Sequence, residues 1–238
     1  MRTLIGDMHT HTLVSGHAYG TIREMAQAAA EQQLRVLGIT EHAPGVPGTV
    51  DPFYFLNLSA VPKTLYGVRV LHGSEINVLD GGRLSLEQRY IDRLDYAIAG
   101  IHLTCYEDRG RDGNTENLIG CMANGKVRIV SHPDDDRTPL DYERLVEAAK
   151  RLHVALELNN SSLLRPGSRR NCVQNNETML SLCARMNAPI MIDSDAHDPS
   201  AVGRFEAAEA FIRRVGFPEA LILNADEDRL MQFLGLSI

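Results

Sequence analysis

The sequence contains no apolar run near the roughly 20 residues that a membrane-spanning helix requires. It also lacks an internal repeat, a low-complexity tract and an obvious interdomain linker. Cysteine is sparse: Cys105, Cys121, Cys172 and Cys183 include no C-x-x-C pair. That speaks against a thiolate zinc finger, and a chain of this length needs no disulfide framework. Basic clusters are missing as well. Lys and Arg are scattered through a chain of net charge −7, so neither nucleic acid nor a membrane is expected as a stable partner. The opening residues lack the apolar core and cleavage site of a signal peptide, and a cytoplasmic location is therefore expected. Oligomeric state leaves no mark on the pattern.

What is present is an ordinary core and a regular alternation. Hydrophobic residues make up 44% and charged residues 23% of 238, a composition suited to one domain spanning 1–238. Seven apolar runs rich in Val, Ile and Leu read as buried parallel strands: 3–9, 35–41, 68–75, 95–102, 127–132, 153–159 and 189–195. An eighth is possible at 220–224. Helical patterns lie between them. Thr21 and Glu24 form a capping box before 25–33, and apolar residues recur at helical spacing in 139–152, 177–186 and 201–215. Asp226 is placed to cap a last helix ending near 233. Such alternation predicts an α/β fold, either a βα barrel or a doubly wound sheet. The Gly/Pro-rich stretch 43–52 reads as a long loop after the second strand.

The nine histidines carry the chemistry. His9 and His11 lie at the end of the first strand, with His17 in the loop behind. His42, His102 and His132 close later strands, and His197 lies just beyond the seventh. Glu75 ends the third strand and Asp195 the seventh. In a parallel barrel these ends share one face, where barrel enzymes build their sites. A lone histidine at a strand end is usually just a hydrogen-bonded residue, but independent structural roles would not sort seven of nine to one face. Period-two alternation puts Asp7, His9 and His11 on one side of their strand. Imidazole and carboxylate together are ligands for zinc, iron or manganese. His72 and His153 fall outside the pattern and read as structural.

The ordered motifs are Asp7-Met8-His9-Thr10-His11, Thr40-Glu41-His42, Gly73-Ser74-Glu75, Gly100-Ile101-His102, Ser131-His132-Pro133 and Asp193-Ser194-Asp195-Ala196-His197. As a set they resemble the PHP (polymerase and histidinol phosphatase) family of metal-dependent phosphoesterases. His17-Ala18-Tyr19 and Glu157-Leu158-Asn159-Asn160-Ser161-Ser162 are similar to its YcdX-type phosphatases. The resemblance implies a distorted (β/α)7 TIM-like barrel with three divalent metal ions, zinc first and manganese or iron as alternatives. His9, His11, Glu75 and Asp195 would hold one ion; His17, His42 and His197 a second; His102, His132 and a bridging Glu75 the third. Asp193 and the acidic run Asp134-Asp135-Asp136 depart from the family pattern, and near the rim they would narrow the range of anionic substrates.

The expected activity is hydrolysis of a small phosphomonoester, with closely spaced metals activating a bridging water for in-line attack. Asp7, Glu75 and Asp195 are the carboxylates expected at the catalytic centre. Asp7 and Glu41 are expected to accept from imidazoles and fix their tautomers. The densest basic segment, 165–171, offers Arg165 and Arg169 as phosphate ligands, with Arg204 a weaker candidate. An amidohydrolase-like reaction is one alternative, although Glu75 stands where that chemistry wants a carboxylated lysine. A non-catalytic binding module is another, against which the full ligand set argues.

Overall fold

A computed structural model describes residues 3–237. In chain order the elements are β1 (Gly6–Thr10), α1 (Ile22–Glu31), β2 (Val36–His42), β3 (Thr64–Leu65), β4 (Val68–Leu79), β5 (Arg83–Leu84), α2 (Gln88–Ile91), β6 (Ala97–Gly100), α3 (Gly110–Met122), β7 (Val127–Val130), α4 (Tyr142–Leu152), β8 (Ala155–Asn159), α5 (Asn160–Leu164), α6 (Cys172–Met186), β9 (Ile190–Asp193), α7 (Glu206–Val215) and α8 (Glu227–Leu234). Seven strands run parallel in the order β1-β2-β4-β6-β7-β8-β9, while β3 and β5 are short antiparallel additions to β4. This is the expected α/β barrel, nearly closed.

The distortion lies at the seam between β9 and β1. Backbone pairing there is reduced to a bridge between Thr10 and Ala196, and side chains take over the remaining backbone groups. Asn224 donates from Nδ2 to the carbonyls of Gly6 (2.8 Å) and Ile192 (2.5 Å) and accepts from Ile192 N. Asp193 accepts from Met8 N at 2.6 Å. Asp193 is thus fully buried in the seam, not at the rim where it was expected to act on substrates. The anticipated eighth strand is instead a pair of tight 3-10 turns with one bridge, Ile190 to Ile222.

Alternation along the strands separates two cores. Met8, Val36, Leu71, Tyr96, Ile98, Ile129, Ala155 and Met191 fill one cluster, closed off by Leu230, Phe233 and neighbours of α8. The opposite faces, including Leu37, Ile39, Ile76 and Val130, pack with the helices. Tyr96 is the largest fully buried side chain, and its hydroxyl donates to Met8 O. Space for it depends on Gly38, where an added Cβ would stand 1.9 Å from the phenol oxygen.

Capping follows the sequence. Thr21 and Glu24 form the reciprocal capping box of α1, and Asp226 accepts from Arg229 N to start α8. The loop after β2 continues into 3-10 turns at Pro52–Ala60, begun by Asp51. His153 is the left-handed C-cap of α4 and lies against Phe233, and His72 is buried on β4. All four cysteines are free thiols. No helix among the described residues is long and apolar enough to cross a membrane.

Candidate active site

The site is built where β1, β2, β4, β6, β7, β8 and β9 end or nearly end. Pairing of β2 with β4 runs in unbroken register from Val36–Arg69 to His42–Glu75, so these two ligand candidates are set side by side. Contrary to expectation, β4 does not stop at Glu75 but continues four residues to Leu79. The chain turns sharply after β7 and β9: His132 (φ 30°) and Asp195 (φ 55°) both adopt left-handed backbone. Non-glycine residues seldom hold that conformation, and it is commonest where function over-determines the backbone.

Period-two alternation fails in β1. Gly6 pairs with Val36 and Asp7 with Leu37, but the next pair is Thr10 with Ile39, so one extra residue bulges between them. The bulge brings His9 and His11 to the ring and leaves Asp7 on the other side. Asp7 accepts from Ser194 N, Ser194 Oγ (2.5 Å) and Gly203 N, and it receives no bond from an imidazole. Burial pushes its pKa up to about 6. Its contacts are those of a residue bracing the turn that carries Asp195, not of a group facing substrate.

Eight of the nine ligand candidates gather around two carboxylates. Glu75 Oε2 lies 3.3 Å from His9 Nε2, 3.6 Å from His11 Nε2 and 3.0 Å from His42 Nδ1. Glu75 Oε1 lies 3.2 Å from His102 Nε2 and 2.9 Å from His132 Nε2. Asp195 Oδ1 stands 3.6 Å from His9 Nε2 and 3.4 Å from His11 Nε2. The ninth, exposed His17, joins through His197, with 3.2 Å between their Nε2 atoms. Donor atoms of His9, His11 and Asp195 cluster tightly enough to share an ion, as do those of His11, His42 and His197 and those of His42, Glu75 and His102. The last two groups only partly match the expected sets, with His11 and His42 each standing between two of them.

Acceptors behind the ring fix the proton positions. Glu157 Oε1 takes the Nδ1 proton of His9 at 2.7 Å. Ser15 donates its own proton to Glu41, so its oxygen is left to accept from His11 Nδ1 at 3.0 Å. Asn77 donates its amide hydrogens elsewhere and accepts from His102 Nδ1 at 2.7 Å. Asp195 O serves His197 Nδ1 in the same way. The Nε2 atoms of His9, His11 and His102 therefore converge on the carboxylate oxygens of Glu75 and Asp195, while that of His197 faces His17. His9 Nε2, His11 Nε2, His42 Nδ1, His102 Nε2 and Glu75 Oε2 are buried with no hydrogen-bond partner among the described residues. Lone pairs facing one another in a buried site need a cation between them. The donor set fits divalent metal ions.

Charge reinforces this. Burial opposes ionisation of Glu75, but the imidazoles of His102, His9 and His42 outweigh it and hold the carboxylate well below its usual range. Burial likewise opposes charge on His9, but Glu157, Glu75 and Asp195 raise its pKa well above the ordinary value. His11 is driven well below by burial and the neighbouring His42.

Glu41 does not touch an imidazole as expected; it acts through Ser15 and Thr12. Ser15 and Asn77 are not singled out from the sequence, and Glu157 enters there only within a motif, without a role. Glu157 carried a signal, since a carboxylate inside a fully buried strand demands a partner. Arg169 borders a cavity of about 500 Å3 lined also by His17, His42 and His102. Arg165 and Arg204 border a second, of about 510 Å3, on the side of His17, Asp195 and His197. Arg204 is already engaged by Glu206 at 2.7 Å. Of the acidic run, Asp135 also lines the cavity beside His42 and His102, while Asp134 and Asp136 turn to residues 169 and 171 of the basic loop.

Fold and site together define a metal-binding α/β barrel. The PHP domain family matches residues 7–161, and the chain belongs to that family. Relatives that match nearly its whole length are named probable phosphatases, and it is a hydrolase of the phosphatase kind. A probable phosphatase of Clostridium botulinum (strain Langeland) is 39% identical over 236 residues, covering 98% of this chain and 95% of that protein. One from Syntrophotalea carbinolica is 37% identical, covering 97% and 96%. Among solved structures, histidinol phosphate phosphatase from Lactococcus lactis, complexed with zinc, L-histidinol and phosphate, superposes with a TM-score of 0.61 at 16% identity, covering 91% of this chain and 95% of that one. A chain of an archaeal ribonuclease P complexed with mature tRNA reaches 0.63 at 14% identity, covering 96% and 90%. At such identities the likeness is one of fold.

Proposed function

We propose that this protein hydrolyses small phosphomonoesters at the His–Glu–Asp ring, with three divalent metal ions as cofactors. The observation that carries the reading is the convergence on Glu75 and Asp195 of buried imidazole nitrogens that have no hydrogen-bond partner among the described residues. His9, His11, Glu75 and Asp195 would hold one ion, His17, His42 and His197 a second, and His102 and His132 with Glu75 a third. Ions there would supply Lewis acidity, bringing the pKa of a water toward neutrality and offsetting phosphoryl charge. Zinc suits this donor set best, and manganese or iron share its preferences.

The chain's own groups do the rest. Glu157, Ser15 and Asn77 hold three imidazoles in one tautomer and one orientation. Arg169 offers a guanidinium fork at the mouth of the cavity beside His42 and His102, where it grips a phosphoryl oxygen. Arg165 stands on the other side, bordering the cavity beside Asp195 and His197. The two cavities have room for a small phosphorylated metabolite. The same volume gives a polymeric substrate little to hold, consistent with the scattered basic residues. The histidinol and phosphate in the Lactococcus structure are ligands of that size.

The test is a panel of phosphorylated metabolites, with an aryl monoester and its diester, offered to metal-loaded protein. Monoesters should turn over faster than diesters, and addition of a chelator should abolish the rate. Chelator-resistant hydrolysis, or preference for diesters, would refute the reading.

A further inference from the structure

The acidic run Asp134-Asp135-Asp136 has no place in the ring, yet it is densely bonded. Asp135 accepts from Arg137 through both carboxylate oxygens and from Arg170 N at 3.1 Å. Arg137 donates onward to Ser168 O at 2.6 Å. Asp136 N donates to Arg170 O, and its carboxylate accepts from Asn171 and Asn175. Residues 168, 170 and 171 are therefore gripped from below. The residue between them is Arg169, the least exposed of the loop's three arginines.

Asp134 completes the arrangement. It is 1% exposed, and its Oδ2 accepts from Asn176 at 3.0 Å. Its Oδ1 has no hydrogen bond among the described residues and faces Arg169 Nε across 3.8 Å. A buried carboxylate with an idle oxygen is costly unless a cation sits opposite. Arg169 is that cation, and it reaches both the pocket beside His132 and the cavity beside His42 and His102. Paired through Nε by charge at 3.8 Å, the guanidinium keeps its outer nitrogens for a second anion.

We propose that Asp134 is a positioning residue: it orients Arg169 so that its fork meets the phosphate group of the substrate, while Asp135 and Asp136 fix the loop that carries it. This rests on the phosphomonoesterase reading. It also predicts affinity for phosphate that is measurable without turnover. Asp134→Asn keeps the shape and the bond to Asn176 but removes the charge opposite Arg169.

The experiment combines two readouts on zinc-loaded protein, calorimetric binding of inorganic phosphate and steady-state hydrolysis of an aryl phosphate. Asp134→Asn should weaken phosphate binding and raise KM by about tenfold, with kcat changed much less and zinc content retained. Arg169→Lys, which keeps charge but loses the fork, should do the same. The double variant should be no worse than Arg169→Lys alone, because both substitutions remove one interaction. Additive losses in the double variant would overturn the proposal. So would a fall in kcat or zinc content with phosphate affinity intact, or a parent protein that does not bind phosphate. A parent that binds phosphate in an Asp134-dependent way but hydrolyses no monoester would leave the positioning role standing and remove the phosphatase reading.

Discussion

Replacing Glu157 by glutamine changes one atom and makes a large demand on the structure. Glu157 Oε1 accepts from His9 Nδ1 at 2.7 Å, while Oε2 accepts from His132 N at 2.7 Å and Asn159 Nδ2 at 3.0 Å. Both oxygens are acceptors only, and the residue is fully buried. Glutamine has one acceptor oxygen and one donor amide. If its oxygen faces His9, its NH2 confronts the N–H groups of His132 and Asn159. Turned over, it confronts the Nδ1 proton of His9, and that ring would flip tautomer and carry its proton into the metal site. Either way a buried donor goes unpaired, at about 1–3 kcal/mol. Glu157→Gln should therefore lower zinc affinity roughly 5- to 150-fold, in line with the loss usual for groups that orient metal-bound histidines. Competition against a chromogenic chelator measures it, with circular dichroism of the metal-free variant as a check on folding. A folded variant binding zinc as tightly as the parent would refute the tautomer argument.

Two further outcomes follow from the barrel itself. His72 is 1% exposed, and burial lowers its pKa to about 4 from 6.5. It is neutral when folded and binds a proton when unfolded below pH 6.5, so it favours folding above that pH and this contribution is lost as pH falls toward 4. The linkage amounts to about 3 kcal/mol, and denaturant titrations of metal-free His72→Leu should lose that much less stability between pH 7 and pH 4 than the parent; equal losses would contradict the assignment. Gly38→Ala should destabilise by about 3 kcal/mol or prevent folding, because its Cβ would meet the Tyr96 hydroxyl and Met8 O. Tyr96→Phe should recover part of that loss in the double variant, and purely additive melting temperatures would show that the clash lies elsewhere.

The seven parallel strands were legible because each is a short apolar run buried on both faces, and their ends could be aligned from residue type alone. Ligand candidates followed from that alignment, not from any single motif. What misled was local geometry. One bulged residue in β1 reversed the side of Asp7 while leaving His9 and His11 in place, and nothing in Gly6–Thr10 announces it. Helix α3 escaped notice because its glycines and asparagines carry poor helix propensity; it is held by contacts such as Asn117 Oδ1 to Gly81 N and Gly82 N. Asn77 went unseen because β4 outlasts its predicted end. Residues 220–224 look like a strand, but their buried asparagine, Asn224, is needed to stitch a seam that backbone pairing leaves open.

The central claim is that the ring of seven histidines, Glu75 and Asp195 binds metal and that hydrolysis depends on it. The most direct test is to strip the protein of metal and titrate zinc back. Bound zinc is counted by elemental analysis while release of phosphate from an aryl monoester is followed in the same samples. The rate should be absent without metal and rise to a plateau near three ions per chain, with His11→Ala reaching neither the count nor the rate. Full activity in the stripped protein, or zinc that binds equally well without His11, would contradict the account.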